Sequence, residues 1–248
     1  MDLSPSELER YSRQMLISGW GEEGQKRLKA AKVAVAGVGG LGCPASLYLT
    51  AAGIGQLVII DKDQFELNNL NRQILGWQSD IGRYKSESAK EKLNKLNSEV
   101  EVKAVVAEIK EENVQDLMAD VDIVVDGQDN WETRFIINRY CVTRDLPFVH
   151  AGVSELHGQV TTILPHKGPC LRCLFPHDPP ETEKVPVAGV TPALFASLQV
   201  METIKIITGL GKPLTGRMLF GNGETMEFET AEVTRNSDCQ VCSDSPKT

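Results

Sequence analysis

The chain has 248 residues, of which 41% are hydrophobic and 24% are charged, an ordinary balance for a globular protein. Its net charge of −8 and its pI of about 5.1 argue against nucleic acid and against an anionic membrane as partners, since both favour a basic surface. The sequence has neither an apolar run of the roughly 20 residues that span a bilayer nor the basic and apolar regions of a signal peptide. These features predict a cytoplasmic protein with reduced cysteines.

The apolar residues predict strands that alternate with helices along the first part of the chain. The predicted helices lie at 5–30, 43–53, 83–97, 111–120 and 130–145, and the predicted strands at 32–36, 56–61, 101–109, 121–126 and 146–153. After residue 150 the pattern changes to antiparallel strands, at 157–165, 216–223 and 225–233, around one long helix at 191–209. This order predicts an α/β fold with a Rossmann-like, doubly wound sheet that is parallel in its first half and antiparallel in its second half.

A glycine-rich turn joins the first predicted strand to the helix that follows it. Gly37, Gly39 and Gly42 form the pattern G-x-G-x-x-G, and Gly40 adds a fourth glycine. Glycines let the backbone approach a phosphate, and the helix N-terminus supplies N–H groups and a partial positive charge. Asp61, at the end of the next strand, can accept hydrogen bonds from ribose hydroxyls. On these residues alone a dinucleotide cofactor is favoured over ATP, and a glycine turn without a ligand is the third alternative.

Further polar residues follow the second and fourth strands at one predicted edge of the sheet, where open α/β sheets bind their ligands. They are Asn68, Asn69, Asn71, Arg72, Gln73, Lys85, Asp126, Asp129 and Asn130. A triphosphate needs cations and a carboxylate that holds Mg²⁺, whereas a nicotinamide cofactor needs neither. A single lysine or arginine is usually solvated surface, and Asp129 could instead cap the next helix. The prediction of an ATP site therefore depends on all of these residues meeting at one edge.

The six cysteines divide into two pairs and two single residues. Cys170 with Cys173 and Cys239 with Cys242 form two C-x-x-C pairs, which predict a closed structural zinc site. A redox dithiol and two disulfides are the alternatives. Cys43, at a helix N-terminus where a thiol pKa can be lowered, is nevertheless predicted to be a packing residue, like Cys141. The histidines show no metal-ligand spacing and are predicted to be structural or surface residues; they are His150, His157, His166 and His177.

The sequence resembles the MoeB, ThiF and HesA family, the prokaryotic relatives of ubiquitin-activating enzymes. The similarity lies in the segments AGVGGLGCPASLYLTAAGIG, LNNLNRQIL and DGQDNWETRFIIN and in the G-x-x-K spacing of Gly82 and Lys85. It extends from about Arg10 to Cys242, nearly the whole chain.

The resemblance implies a role for each matching residue. Gly40 and its neighbours would line the phosphates of ATP, and Asp61 would hold the ribose. The triphosphate would be contacted by Asn69, Arg72 and Lys85, and Mg²⁺ would be held by Asp129, with Asn130 beside it. Arg13, in the N-terminal segment RYSRQ, would reach the nucleotide site of a second copy, which implies a homodimer with shared active sites. Members of the family commonly carry zinc on the four cysteines.

The function that the resemblance implies is ATP-dependent adenylylation of the C-terminal carboxylate of a ubiquitin-like sulfur-carrier protein that ends in Gly-Gly. We expect one domain over 1–248, with a helical arm at 1–30, a nucleotide-binding half at 31–150 and a carrier-binding and zinc half at 151–248. Many relatives carry a cysteine before the last long helix, but the loop 174–190 has none and is shorter, so no covalent step is expected there. The alternatives are an NAD-dependent oxidoreductase, ATP-dependent activation of another carboxylate, and a non-catalytic scaffold.

Overall fold

The computed structural model describes residues 2–180 and 185–243 of the chain. These residues form one eight-stranded sheet in the order β3-β2-β1-β4-β5-β6-β7-β8. The strands are β1 (Lys32–Ala36), β2 (Gln56–Ile60), β3 (Glu101–Val105), β4 (Ile123–Asp126), β5 (Phe148–Ser154), β6 (His157–Ile163), β7 (Arg217–Asn222) and β8 (Glu227–Glu232). The first five strands run parallel and the last three pair antiparallel, as the sequence predicts.

Helices cover both faces of the parallel part of the sheet. They are α1 (Pro5–Arg10), α2 (Ser12–Met15), α3 (Gly21–Ala30), α4 (Gly42–Ala52), α5 (Lys85–Leu96), α6 (Val114–Leu117), α7 (Trp131–Thr143), α8 (Leu171–Leu174) and α9 (Val190–Thr208). Two short 3₁₀ turns lie at Leu67–Asn69 and Gln78–Asp80. The helix α4 ends as predicted at Gly53, which adopts the left-handed conformation (φ 85°) that favours glycine at this position.

Strand β1 shows why the chain winds around both faces of the sheet. Val33 and Val35 are buried in the core beneath α4 and α9, whereas Ala34 and Ala36 are buried in the core on the α7 side. Successive side chains of a strand point to opposite faces, so a strand with water on neither face must be apolar throughout. Ala36 pairs in register with Ile60 of β2 and with Asp126 of β4. The three strands therefore end together, and the residues that follow them lie at one edge of the sheet.

The helix α9 is the longest helix in the described part of the chain and lies against the centre of the sheet. It is long and apolar enough to cross a membrane by length and composition, with 19 residues and a mean hydropathy of 1.3. The expectation that no apolar run approaches this length is therefore wrong. In the fold it packs against β4, β5 and β6 and against α3 and α4. The helix buries Phe195, Ala196 and Val200 in the core, whereas Leu194 and Met201 are exposed.

Three predicted elements are shorter or more divided than the sequence suggested. The predicted strand 101–109 stops at Val105, because its neighbour β2 ends at the paired residue Ile60 and offers no partner beyond it. The predicted helix 111–120 shrinks to α6, because the Asn113 side chain bonds to the backbone of Glu108 and Lys110 and holds a turn there. The predicted helical segment 5–30 divides into α1, α2 and α3, with Gly19 (φ 82°) in the break before α3.

Candidate active site

The glycine loop follows β1 and packs tightly on the loop that follows β4. Gly37 has φ 99°, and a Cβ built on it would lie 2.6 Å from the carbonyl oxygen of Gly127. A Cβ on Gly42 would lie 1.8 Å from the carbonyl oxygen of Gly37. Neither site has room for a side chain, so both glycines are needed for the tight turn that brings the N-terminus of α4 to the sheet edge.

Asp61 reaches back to this loop from the end of β2. Its Oδ2 accepts the backbone N–H of Val38 at 2.7 Å, and its Oδ1 accepts that of Asp63 at 2.8 Å. Burial raises the pKa of the Asp61 carboxyl, while the nearby Lys85 ammonium and these two hydrogen bonds oppose the increase. The carboxylate is therefore held rigidly beside the loop, and each of its oxygens has a further lone pair for a ligand hydroxyl.

The asparagine-rich segment after β2 folds into a turn that presents Arg72 to the glycine loop. Nη1 of Arg72 donates to the carbonyl oxygen of Asn68 at 2.9 Å and to Oδ1 of Asn71 at 3.0 Å. The Cδ of Arg72 lies 3.5 Å from the position that a Cβ on Gly40 would take. Asn69 is buried and its side chain bonds to Glu66 and Asn68 within the turn. The asparagines thus build the turn, and Arg72 is the cation that it carries.

Gln73 completes this turn and faces the glycine loop. It is buried, and its Oε1 has no hydrogen-bond partner among the described residues. Its Nε2 lies 4.0 Å from the position that a Cβ on Gly39 would take. A buried polar atom without a partner costs free energy, so its position beside an open glycine loop is consistent with a polar ligand there.

Lys85, the first residue of α5, is buried at the same edge. Its Nζ lies 3.4 Å from Oδ2 of Asp63, whose backbone carbonyl accepts the Lys85 N–H at 2.9 Å. Asp129 is exposed in the loop after β4. It follows Asp126 by three residues, and Asp126 is in register with the last residues of β1 and β2 through Ala36, so Asp129 lies at the same edge of the sheet. The structure therefore brings the predicted cations and carboxylates together at the carboxyl edge of the sheet.

The alternative that Asp129 caps the following helix is wrong. The N-cap of α7 is Asn130, whose Oδ1 accepts the N–H of Thr133 at 2.9 Å. The Asn130 side chain is thereby committed to the helix, and the exposed Asp129 carboxylate stays available for a cation.

A buried polar network that the sequence analysis missed holds the loop after β4. Oδ2 of the completely buried Asp126 lies 2.6 Å from Nδ1 of His150 and 3.1 Å from Nε of Arg134. Arg134 also donates to the carbonyl oxygen of Gln128 at 2.5 Å, and the Gln128 N–H donates to Oδ1 of Asp126 at 2.9 Å. From α9, Gln199 donates to the carbonyl oxygen of Asp126 at 2.9 Å. Asp126 therefore stabilises the loop and does not face a ligand. The sequence signal for this network was Arg134, a charged residue within an otherwise apolar stretch of the predicted helix.

The structure does not bring Arg13 to the glycine loop of its own chain. The exposed Arg13 lies in α2, and its neighbour Gln14 donates to the carbonyl oxygen of Ala52 at the C-terminal end of α4. The glycine loop lies at the other end of α4, which spans 11 residues or about 16 Å. Arg13 therefore cannot be assigned to the site within one chain.

The four paired cysteines form the second candidate site. Their ligand atoms all lie within 4.8 Å of one another, with Sγ–Sγ distances of 3.6 Å between Cys170 and Cys239 and 3.3 Å between Cys173 and Cys242. A tetrahedral zinc with bonds of about 2.3 Å separates its sulfurs by about 3.8 Å, so this donor set fits zinc. Without a metal, the hydrogen bonds shared within the cluster lower the pKa of the Cys173 thiol and raise those of Cys170 and Cys242, so a bound metal would have to displace the protons of the other thiols. All four cysteines are free, not joined in disulfides.

The two remaining cysteines are packing residues, as predicted. Desolvation raises the pKa of the completely buried Cys43 thiol to about 12, so its place at a helix N-terminus does not make it a thiolate. Burial likewise raises the pKa of Cys141. Of the histidines, His150 is structural, because it is completely buried beside Asp126. In the sequence, the spacing of His157 gave no sign of a metal-ligand group, but in the fold its ring nitrogen lies within 4.8 Å of the carboxylates of Glu155 and Glu224.

Together, the fold and these side chains define an α/β nucleotide-binding enzyme with a glycine loop, a carboxylate at the end of the second strand, and cations beside the loop. The chain belongs to the ThiF family, which matches residues 11–241, and it is an adenylyltransferase. The family predicted from the sequence is thereby confirmed.

Similar proteins share nearly the whole chain. The SAMP-activating enzyme E1 of Haloferax volcanii is 40% identical over 98% of this chain and 91% of that protein. The sulfur carrier protein adenylyltransferase of Thermus thermophilus is 39% identical over 99% and 94%, respectively. The adenylyltransferase and sulfurtransferase MOCS3 of Culex quinquefasciatus is 41% identical, and the chain spans 57% of its length. The crystal structure of E. coli MccB with MccA-N7isoASN superimposes with a TM-score of 0.87 at 28% identity, over 98% of this chain and 76% of that one.

Proposed function

We propose that this protein uses ATP to adenylylate the C-terminal glycine carboxylate of a ubiquitin-like sulfur-carrier protein and releases pyrophosphate. The observation that carries the proposal is the meeting of the glycine loop, Asp61, Arg72, Lys85 and Asp129 at one edge of the sheet. The names of the Haloferax and Thermus relatives support a carrier protein as the substrate. The activated carrier would then serve sulfur transfer in the synthesis of molybdopterin, thiamin or a similar product.

The proposed roles follow from position and charge. The loop from Gly37 to Gly42 would receive the phosphates, since it has an open backbone and leads into the N-terminus of α4. Asp61 would accept hydrogen bonds from the ribose. Arg72 and Lys85 would contact the triphosphate, and Asp129 would hold Mg²⁺. Bound Mg²⁺ would neutralise charge on the phosphate oxygens and on the pyrophosphate that leaves.

The chemistry needs charge stabilisation more than proton transfer. A glycine carboxylate is already ionised at pH 7, so no general base has to activate it. One of its oxygens attacks the α-phosphorus of ATP, the bond from that phosphorus to the bridging oxygen breaks, and pyrophosphate leaves with the electron pair. Two anions must meet for this step, and Arg72 and Lys85 would lower the barrier by stabilising the charge that develops on the leaving group.

The carrier tail would reach the site from the second half of the chain. We propose the division inferred from the sequence: an arm at 1–30, a nucleotide-binding half at 31–150 and a carrier-binding and zinc half at 151–248. Part of the loop 174–190 would pass over the tail, and residues 181–184 of this loop lie outside the described residues. Because this loop has no cysteine, a separate sulfur donor would act on the adenylate.

A homodimer would complete each site. Arg13 is exposed and lies at the far end of α4 from the glycine loop, so we propose that it enters the site of a second copy. The exposed apolar residues Leu16 and Ile17, 78% and 49% exposed, follow it in the chain and would be covered in such an assembly. We further propose that the dimer works in the cytoplasm without nucleic acid or membrane.

The direct test is ATP–pyrophosphate exchange that depends on a small carrier protein ending in Gly-Gly. Wild-type protein is expected to exchange label only with the carrier present, and Asp129→Ala is expected to abolish the exchange. The matched control is Asp122→Ala, because Asp122 is an exposed aspartate at the opposite end of β4. Exchange that needs no carrier, or that survives in Asp129→Ala, would contradict the proposal.

A further inference from the structure

The segment 185–192, which we call the strap, crosses the carboxyl edge of the sheet and touches two parts of it. Along most of its length it is bound to the β5–β6 hairpin. The Glu155 N–H donates to the carbonyl oxygen of Pro186 at 2.5 Å, and the Glu155 carbonyl oxygen accepts the Ala188 N–H at 3.0 Å and the Thr191 hydroxyl at 2.9 Å. The strap is therefore held by three hydrogen bonds to a single residue of the hairpin.

Between the residues that bond to Glu155, the strap also contacts the turn that carries Arg72. A Cβ built on Gly189 would lie 2.0 Å from the carbonyl oxygen of Asn71 and 3.6 Å from the Cβ of Arg72. Three residues further on, Pro192 lies 3.2 Å from the position of a Cβ on Gly40. The glycine loop, the Arg72 turn and the strap thus meet at one point.

The contact depends on the missing side chain of Gly189 and not on an unusual backbone. Gly189 has φ −58° and ψ −25°, a conformation that every amino acid adopts easily. The reason for glycine here is steric, because an atom 2.0 Å from a carbonyl oxygen forces the backbone apart. An alanine at this position would therefore move the Asn71 turn and leave the local conformation of the strap allowed.

Moving Asn71 would also move the guanidinium of Arg72. Both acceptors that hold Nη1 of Arg72, the carbonyl oxygen of Asn68 and Oδ1 of Asn71, belong to this turn. We propose that Gly189 is a positioning residue, through which the strap sets the place of Arg72 over the glycine loop. The inference rests on the proposed function, since it assumes that Arg72 contacts the triphosphate. It also links the strap that would cover the carrier tail to a cation that would bind ATP.

A double-mutant cycle on the full-length protein tests this coupling. The measurement is the dissociation constant of the ATP analogue AMPCPP with Mg²⁺, by calorimetry, for wild type, Gly189→Ala, Arg72→Gln and the double variant. We expect each single variant to weaken binding by about fivefold or more, because coupled neighbours share about 1 kcal/mol or more. We expect Gly189→Ala to add less than about twofold when Arg72 is already absent.

Two further variants separate positioning from a general loss of structure. Gly152→Ala is the matched control, since its Cβ would meet only the Gln159 side chain, at 3.4 Å or more, and it should bind like wild type. Thr191→Val removes the hydroxyl that bonds to Glu155 without adding bulk, and should weaken binding in the wild-type background only. Unfolding midpoints of all variants are measured alongside, so that Thr191→Val carries the test if Gly189→Ala does not fold.

The outcomes distinguish the inference from the proposed function. Equal losses from Gly189→Ala with and without Arg72, or wild-type affinity in both Gly189→Ala and Thr191→Val, would overturn the inference alone. Absence of Mg·AMPCPP binding in wild type, or full affinity in Arg72→Gln, would overturn the assumed role of Arg72 and the inference with it.

Discussion

Oδ2 of Asp126 lies 2.6 Å from Nδ1 of His150, and both side chains are completely buried. Asp126 ends β4, directly before the loop that carries Asp129, and His150 lies in the neighbouring strand β5. The imidazole is therefore the donor and the carboxylate the acceptor, which leaves Nε2 of His150 as the unprotonated nitrogen. This Nε2 has no hydrogen-bond partner among the described residues, and Trp131, Phe148 and Phe175 lie around the ring. The network has a consequence for the pH dependence of stability.

Desolvation lowers the pKa of His150 below its ordinary value of 6.5, although Asp126 opposes this change. Between the lowered pKa of the folded state and 6.5, His150 is protonated in the unfolded state but not in the folded state. The free energy of unfolding therefore falls as the pH drops below 6.5. We predict that His150→Gln lowers the slope of this free energy against pH by up to about 1.4 kcal/mol per pH unit. Urea unfolding from about pH 7.5 to 5 measures the slope.

The exposed His177 provides the control for this experiment. His177→Gln should keep the slope of the wild-type protein. An unchanged slope in His150→Gln would show that His150 does not resist protonation in the folded state.

Lys85→Ala should lower the rate of carrier-dependent ATP–pyrophosphate exchange by about 10²–10³, by analogy with the loss of one preorganised donor at a developing charge. Lys85 is 7% exposed and lies beside Asp63 and Asp61. Because it is buried there, a lysine or arginine from the surface cannot take its place when its side chain is removed. Lys90, in the same helix but exposed, is the matched control, and Lys90→Ala should exchange at the wild-type rate. Similar rates for both variants would remove Lys85 from the site.

Subunit mixing tests the proposed entry of Arg13 into a second copy. Arg13→Ala and Asp129→Ala should each be inactive alone, because every site then lacks one group. When equal amounts are unfolded and refolded together, half of the dimers are mixed and each has one intact site, so about a quarter of the wild-type exchange should return. If Arg13 acts within its own chain, mixing restores nothing. If Arg13→Ala alone exchanges at the wild-type rate, Arg13 has no role in the reaction.

The cysteine cluster should bind one zinc ion per chain and tie residues 170–173 to residues 239–242. We predict that Cys239→Ser loses the metal and lowers the unfolding midpoint by about 5 °C or more, since a structural metal contributes directly to folding. Metal content by atomic absorption and thermal unfolding are the measurements. Cys141→Ala, a buried cysteine outside the cluster, should retain its zinc. Full zinc content in Cys239→Ser would contradict the assignment.

Much of the site could be predicted because its signals are local. The glycines of the first turn, Asp61 and Lys85 stand next to predicted strands or helices, and parallel strands bring their carboxyl ends to one edge. The paired cysteines are likewise recognised by spacing alone. The elements that were predicted too long, such as the strand 101–109, depend on where a neighbouring strand ends, which the local pattern does not contain.

The sequence by itself determined the α/β class, the change from parallel to antiparallel strands, and the candidate nucleotide and zinc residues. These features depend on the periodicity of apolar residues and on spacings of a few residues, which can be seen within a short segment of the sequence. Only the tertiary structure decided that Asp126 pairs with Arg134 and His150 and that Gly189 presses on Asn71. Gly189 and Asn71 are far apart in the chain, and only the packing of the folded protein brings their backbones so close that no methyl group fits between them.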